Sequence, residues 1–425
     1  MKFPNSQMKV FLEAAMVTAV FFGAVWYRLW FITLVPQPVI YDQDEYQWYA
    51  TKIYYHPQML ASHSYRSYPF PLMLATVYKF AGFADYPAVY TVNAVLDSLT
   101  AVGIYFLLRF SVRQKPAAWT GLLLYAVNPF TAGYVGVLLS EILDAFFITY
   151  ALVYGYLFVK RKHPFWGLLL GFFAGMAAET RNSAFIWAAV PLFLTLFFIP
   201  FKKHLLAYAA VIIGMVITVL YPLYTNWRDY RELSISKVDS FYAMEFFNGA
   251  TLKILPPFTK MYPVDQLIMW REYWSEFYPD RTTRERRALA KKYFLKGWEV
   301  VKSDPVDYVR WRFYKMWYVW QKENIFFYEE PGWQDRRYIV YSGNLALLGL
   351  AAAGIFLGRI MMRDGNRRYI WMVLVGTILY GMVAFSFSHA EYRLSIPFYP
   401  VIITLSAVGI SGIWQLSNRI ISFRK

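Results

Sequence analysis

Residues 9–46 read KVFLEAAMVTAVFFGAVWYRLWFITLVPQPVIYDQDEY: a long apolar run, an aromatic edge, then an abrupt acidic cluster. That succession decides how the chain is built. The apolar part, 9–31, covers the roughly 20 residues a helix needs to cross the hydrocarbon core of a bilayer. It is too long for the hydrophobic part of a cleaved leader and lacks a small-x-small cleavage site, so it reads as a retained signal anchor. Comparable runs recur at 88–109, 117–137, 138–159, 164–180, 183–200, 204–224, 341–359, 369–387 and 396–417. About ten spans are therefore predicted, and the fold class is all-α integral membrane. The stretch 68–83 is apolar but short and holds Pro69 and Pro71. It predicts a re-entrant or interfacial helix rather than a span.

Composition agrees with this reading. Of 425 residues 58% are hydrophobic and only 16% charged, with a mean hydropathy of +0.31. A soluble domain carries about a quarter charged residues. The 21% aromatic share suits interfacial belts and greasy ligand grooves. The absence of cysteine excludes a disulfide framework and thiolate metal sites. A net charge of +16 raises nucleic-acid binding, but the basic residues sit in short clusters between apolar runs and form no continuous face, so that class is set aside.

The clusters fall on alternate boundaries. Lys2 and Lys9, then Arg109, Arg113 and Lys115, then Lys160, Arg161 and Lys162, then Lys202 and Lys203 mark one set of ends. Arg359, Arg363, Arg367 and Arg368, and finally Arg419, Arg424 and Lys425, continue it. Short cytoplasmic loops are enriched in Lys and Arg, so both termini are expected in the cytoplasm. Residues 36–87 and 225–340 then lie outside. The domain reading follows: an N-terminal transmembrane module 1–224 with spans one to seven and the first external loop 36–87, a mostly helical external domain 225–340, and a C-terminal transmembrane module 341–425 with spans eight to ten. Within the external domain, Arg284 to Val301 is helix-compatible and stops before the Asp304-Pro305 break.

Sorted by side, the ionisable residues collect on the outer ends. Asp42, Asp44 and Glu45 follow the first span, Glu141 follows the third, Glu179 and Arg181 the fifth, and His389, Glu391 and Arg393 the ninth. Acids at a membrane boundary are costly unless they face an aqueous cavity or one another, so four loops contributing them to one face point to a shared polar cleft. Any one of them taken singly reads equally well as a solvated connector. Asp97, one turn after Asn93, and Asp144 lie deeper and read as interhelical hydrogen-bonding glue. Glycosyl transfer needs a carboxylate to take a proton from the acceptor hydroxyl while a phosphate leaves the anomeric carbon. The leaving phosphate needs cationic or hydrogen-bonding partners, for which Arg and His are suited. The outer face supplies both kinds of group, although an ion pathway has the same composition.

An ordered series of weak motifs narrows the choice. Asp44-Glu45-Tyr46-Gln47-Trp48-Tyr49-Ala50, Tyr68-Pro69-Phe70-Pro71-Leu72, Asn128-Pro129-Phe130 and Leu139-Ser140-Glu141 come in turn. Ser303-Asp304-Pro305 through Tyr308 to Lys315 and Trp320, then His389-Ala390-Glu391-Tyr392-Arg393 with Pro397 and Pro400, complete it. In this order the chain resembles the GT-C superfamily of membrane glycosyltransferases, nearest the branch of protein O-mannosyltransferases and the lipid A aminoarabinose transferase. The resemblance implies a GT-C-like bundle with external loop elements. It also implies that Asp44 is the catalytic carboxylate with Glu45 beside it and Asp42 in support. Glu141 would be a second acid in the cavity, and Arg393, helped by Arg181, His389 and Tyr392, would hold the carrier phosphate. Two departures stand out. Tyr90, Thr91 and Val92 replace an Arg that the family often carries before the second-span Asn. The chain also ends just after the tenth span, which shifts acceptor recognition to 225–340.

The expected function is transfer of a sugar from a polyprenyl-phosphate carrier to a hydroxyl on a glycan, lipid or protein, by a single inverting displacement on the extracytoplasmic (periplasmic) face. The expected partners are that lipid-linked donor, the hydroxyl acceptor and the bilayer, with no nucleic acid. Neighbouring carboxylates suit Mg²⁺ or Mn²⁺, but no two-His-one-acid spacing calls for a metal and no other cofactor is implied. Two alternatives stay open: a polysaccharide ligase or polymerase led by cationic residues of 225–340, and a transporter or flippase for the lipid-linked sugar. The topology makes a direct prediction. A reporter that is active only in the cytoplasm should work when fused after Lys203 and fail when fused within 225–340; the reverse pattern would invert the orientation.

Overall fold

The computed structural model describes residues 5–56, 67–112, 115–231, 233, 238–252, 271, 275–276, 283–328, 334–362, 365–388 and 391–423. Their regular structure is helical throughout. Among the described residues seven helices are long and apolar enough to cross a membrane: α1 (Asn5–Thr33), α4 (Tyr86–Ser111), α7 (Glu141–Arg161), α11 (Leu205–Tyr230), α15 (Arg337–Met361), α16 (Gly365–Ser386) and α17 (Tyr399–Phe423). The chain is an integral membrane protein. Between them lie α2 (Asp42–Tyr55), α3 (Pro69–Ala81), α5 (Lys115–Ala126), α6 (Pro129–Ala132), α8 (Pro164–Thr180), α9 (Asn182–Phe185) and α10 (Ala189–Thr195). A cluster of α12 (Val238–Thr251), α13 (Thr283–Ser303) and α14 (Pro305–Tyr318) precedes α15.

Of the three other predicted spans two are broken and one, 164–180, is helical over its whole length. The run 117–137 is broken at Asn128, whose side chain caps the Phe130 and Thr131 amides at 2.9 and 3.2 Å while Pro129 opens α6. The run 183–200 divides into α9, α10 and turns. The run 164–180 is a single helix, α8, of 17 residues. The proline-marked stretch 68–83 forms α3, whose 13 residues rise only about 20 Å, short of the roughly 30 Å core. It buries Phe70, Leu74 and Tyr78 and leaves Phe80 exposed. The expected stop at Asp304 is found where α13 ends, and the Asp304 carboxylate caps α14 by accepting the Asp307 amide at 2.9 Å.

Two helix pairs pack without intervening side chains. A Cβ on Gly171 of α8 would run into the Val211 carbonyl oxygen of α11, and one on Gly354 of α15 into the Leu405 carbonyl oxygen of α17. Small residues at such positions let backbones approach where lipid offers no hydrophobic drive for association. Toward one end of α1, Glu13 takes Arg109 Nε at 2.9 Å, Lys115 Nζ at 2.7 Å and the Tyr105 hydroxyl at 2.5 Å, tying α1 to α4 and α5.

Near the other end the tie is buried. Arg28 has no exposed surface; its Nε meets Asp97 Oδ2 at 2.6 Å, and its terminal nitrogens donate to the Ala126 and Tyr125 carbonyls at 2.9 and 3.2 Å. The Tyr125 hydroxyl donates to the second Asp97 oxygen at 2.6 Å. Asp97 is thus interhelical glue, as its depth suggests, with an arginine of the first span as partner. Removing one member of a buried pair leaves an uncompensated charge, at a cost of about 3–5 kcal/mol. Arg28→Met should lower unfolding stability in detergent micelles by that order, and the double variant Arg28→Met/Asp97→Leu should recover most of the loss.

Candidate functional site

The C-terminal end of α1 leads into a sharply held turn. Tyr41 adopts φ 55°, a left-handed backbone uncommon outside glycine, and redirects the chain into α2. Asp42, Asp44 and Glu45 then occupy the first turn of α2, where the unpaired amides of a helix N-terminus favour negative charge. Gln43 fixes the turn. Wholly buried, it donates from Nε2 to the Pro38 carbonyl at 2.7 Å and accepts the Leu138 amide on Oε1 at 2.7 Å. One turn on, the Tyr46 and Ser140 hydroxyls lie 3.1 Å apart. Tyr328 closes the other side, its amide donating to Gln37 Oε1 at 2.8 Å and its hydroxyl to the Ile40 carbonyl at 2.9 Å. Burial pushes the Tyr328 phenol above the ordinary tyrosine range.

Three ion pairs lie beside this turn. Arg393, at the start of the 3₁₀ segment Tyr392–Phe398, holds Asp42 Oδ2 at 2.8 Å and also pairs with Glu391, while its guanidinium lies 5.1 Å from the Phe327 ring centre. Arg181, between α8 and α9, holds Glu141 Oε1 at 2.5 Å. Glu141 and Arg393 are close enough to act on each other electrostatically, as are Arg181 and Arg393. Residues from four separate stretches (Asp42, Glu141, Arg181, and Glu391 with Arg393) therefore form one polar cluster. Asp144, one turn below Glu141, is fully buried, and its carboxylate meets no hydrogen-bond partner among the described residues.

Among the catalytic candidates, Asp42 is engaged by Arg393, Glu45 is half-buried, and Asp44 is exposed on the opposite face of α2. Among the described residues the Asp44 side chain makes no hydrogen bond or ion pair. His389 and the side chain of Tyr392 lie outside the described residues. No group of three or more His, Asp or Glu side chains among the described residues is arranged to hold a metal ion. The cluster itself is built of carboxylates and guanidinium groups.

Sequence reasoning passed over two residues here. Gln43 was detectable, because Gln43, Tyr46, Ala50 and Ile53 fall on one helical face and all are buried. Lys322 carries no such signal. It follows Trp320 in a connecting segment, yet it is 1% exposed, with Nζ donating to Ser395 Oγ at 2.6 Å and to the Val319 carbonyl at 3.2 Å. Burial drives its pKa well below the usual lysine range.

An apolar groove of about 710 Å³ opens between α3, α4, α7 and α8, lined among others by Pro69, Leu72, Val92, Leu143, Phe147 and Met176. Its α7 wall starts two residues from Glu141, and Met176 on its α8 wall lies five residues before Arg181.

Gln43→Leu tests how the turn is held. It would leave the buried Leu138 amide unpaired, costing about 1–3 kcal/mol, and should speed hydrogen exchange at 40–46 and at 138 selectively.

Comparison with known proteins places this geometry. Residues 67–224 match the family model described as dolichyl-phosphate-mannose-protein mannosyltransferase. The Archaeoglobus fulgidus oligosaccharyltransferase, solved in the apo form, aligns with a TM-score of 0.55 and 14% identity over 96% of this chain and 52% of its own. ArnT from Cupriavidus metallidurans in the apo state aligns with a TM-score of 0.41 and 13% identity over 89% of this chain and 78% of its own. No curated protein matches the chain in sequence. The chain spans about half the length of the archaeal oligosaccharyltransferase. By fold the chain is similar to the archaeal oligosaccharyltransferase, and across 67–224 it matches the mannosyltransferase family model.

Proposed function

We propose that the chain is a membrane glycosyltransferase that takes a sugar from a polyprenyl-phosphate carrier and passes it to an acceptor hydroxyl on the non-cytoplasmic face. The observation that carries this reading is an apolar groove whose α7 wall starts two residues from Glu141 and whose α8 wall lies five residues before Arg181, together with the Glu141–Arg181 and Asp42–Arg393 pairs. An isoprenoid tail is a flexible, wholly apolar chain and suits a groove walled by Leu72, Leu143, Phe147 and Met176. A phosphate at the head of that tail would find two guanidinium groups, each now occupied by a carboxylate that it would displace. The family model matched over 67–224, described by a dolichyl-phosphate-linked donor, supports the same donor class.

In this reading the carboxylates divide the work. Asp42 is neutralised by Arg393 and serves to aim it. Asp44 is exposed, and an acceptor arriving from the aqueous side would meet it first. Asp44 takes the hydroxyl proton as the acceptor oxygen attacks the anomeric carbon. The carrier phosphate departs from the opposite face with the bonding electron pair, its charge held by Arg393 and Arg181. One displacement with the base and leaving group on opposite sides inverts the anomeric centre. Glu45, next to Asp44 and half-buried, is a second carboxylate at the same turn.

Purified protein supplied with a panel of polyprenyl-phosphate sugars should release free polyprenyl phosphate and label an acceptor. Asp44→Asn should lower kcat by about two to four orders of magnitude. Arg181→Ala or Arg393→Ala should each cost about two to three orders. A well-folded Asp44→Asn protein with full activity would remove Asp44 from this role, and sugar translocation without transfer in proteoliposomes would replace the enzyme with a transporter.

A further inference from the structure

Glu179, in the last turn of α8, differs from the acids that hold an arginine and, unlike the deeper unpartnered Asp144, lies at the helix end beside the groove wall. Its residue is 5% exposed, yet among the described residues its carboxylate has no hydrogen bond and no ion pair. Asp42, Asp97 and Glu141 each hold an arginine. A polar group taken out of water without partners is costly, and native structures rarely keep one unless something else fills it.

What surrounds Glu179 indicates what that is. Met176 lies three residues earlier on the same face of α8. The Tyr68 hydroxyl rests 3.6 Å from Met176 Sδ and donates to the Thr218 carbonyl of α11 at 2.8 Å. Tyr68 in turn stacks on Tyr221, with ring centres 4.3 Å apart and planes within 27°. Tyr68 and Glu179 are near enough to interact electrostatically. Along α8 the order is therefore groove wall at Met176, bare carboxylate at Glu179, guanidinium at Arg181.

We propose that Glu179 and the Tyr68–Tyr221 stack form the subsite for the sugar ring of the donor. A carboxylate accepts two hydrogen bonds at once and so matches a pair of neighbouring hydroxyls, while a tyrosine face covers the C–H side of a pyranose or furanose ring. The class of ligand is a polyhydroxylated sugar bearing a free vicinal diol, attached through phosphate to the lipid in the groove. Glu179 then supplies donor specificity: a donor sugar lacking that diol leaves the carboxylate unpaired and is rejected. This inference rests on the reading of the groove and of Arg181 given above.

The test separates the two. The full chain in lipid nanodiscs is titrated with undecaprenyl phosphate alone and with undecaprenyl phosphate bearing mannose, glucose or N-acetylglucosamine. The native protein should bind at least one sugar-bearing carrier about tenfold more tightly than the bare carrier. Glu179→Gln should lose that sugar-dependent gain while leaving affinity for bare undecaprenyl phosphate unchanged, whereas Arg181→Ala should weaken both. Tyr221→Leu should reproduce the loss and serves if the glutamine variant does not fold. Retention of the full gain in Glu179→Gln, or a native protein that binds bare and sugar-bearing carriers alike, overturns the subsite. A native protein that binds neither carrier overturns the groove reading itself.

Discussion

A guanidinium with no exposed surface, held in an apolar bundle by one carboxylate and three backbone carbonyls, is the interaction on which the polar cluster depends. Arg28 near the end of α1 reaches Asp97 of α4 and the Tyr125 and Ala126 carbonyls of α5. Neither charge is tolerable alone in hydrocarbon, so the three helices are locked in one relative height and rotation. Fourteen residues beyond Arg28, the acidic turn of α2 begins. Its position over the bundle is inherited from that lock.

From there the polar site is assembled by a chain of buried hydrogen bonds. Gln43 joins the start of α2 to the segment before α7, and Tyr328 joins the segment before α2 to the connection that follows α14. Each contact uses a backbone group that would otherwise be buried unsatisfied, which gives the turn a single conformation despite the positive φ of Tyr41. The same connection carries Phe327 under Arg393, so the groups about the cleft arrive from both ends of the chain. The helical cluster of α12 to α14 is fastened to the bundle in the same way, with the buried Lys315 donating to the Gly249 carbonyl at 2.8 Å and to the Ser388 carbonyl at 3.1 Å. Movements of that cluster would be felt next to Arg393.

The carboxylates around the cluster divide into two kinds. Asp42, Asp97 and Glu141 are matched by arginines. Asp44, exposed, and Asp144 and Glu179, buried, have no such match among the described residues. A carboxylate already held by a guanidinium has that contact to give up before it can take another, so the proposed roles fall to unmatched ones.

Much of the fold was legible in the sequence because the bilayer imposes it. Apolar length decides which segments can cross, short-loop Lys and Arg mark alternate ends, and Asp304-Pro305 and Asn128-Pro129 carry helix caps in the side chains themselves. The acidic cluster at 42–45 and the arginines at 181 and 393 were legible as a common face, since all lie just beyond span ends. Their partners were not. That Arg393 takes Asp42 while Asp44 turns away depends on the rotation of α2, which Tyr41 and Gln43 set through contacts to residues almost a hundred positions distant. That Lys322 and Glu179 are buried depends on helices packing over them, and no local pattern encodes that. The sequence by itself determined which segments are apolar and where acids and arginines gather at their ends, because those follow from local hydrophobicity and charge. Only the tertiary structure decided which charges neutralise one another and which stay available, because that is a matter of distance between segments.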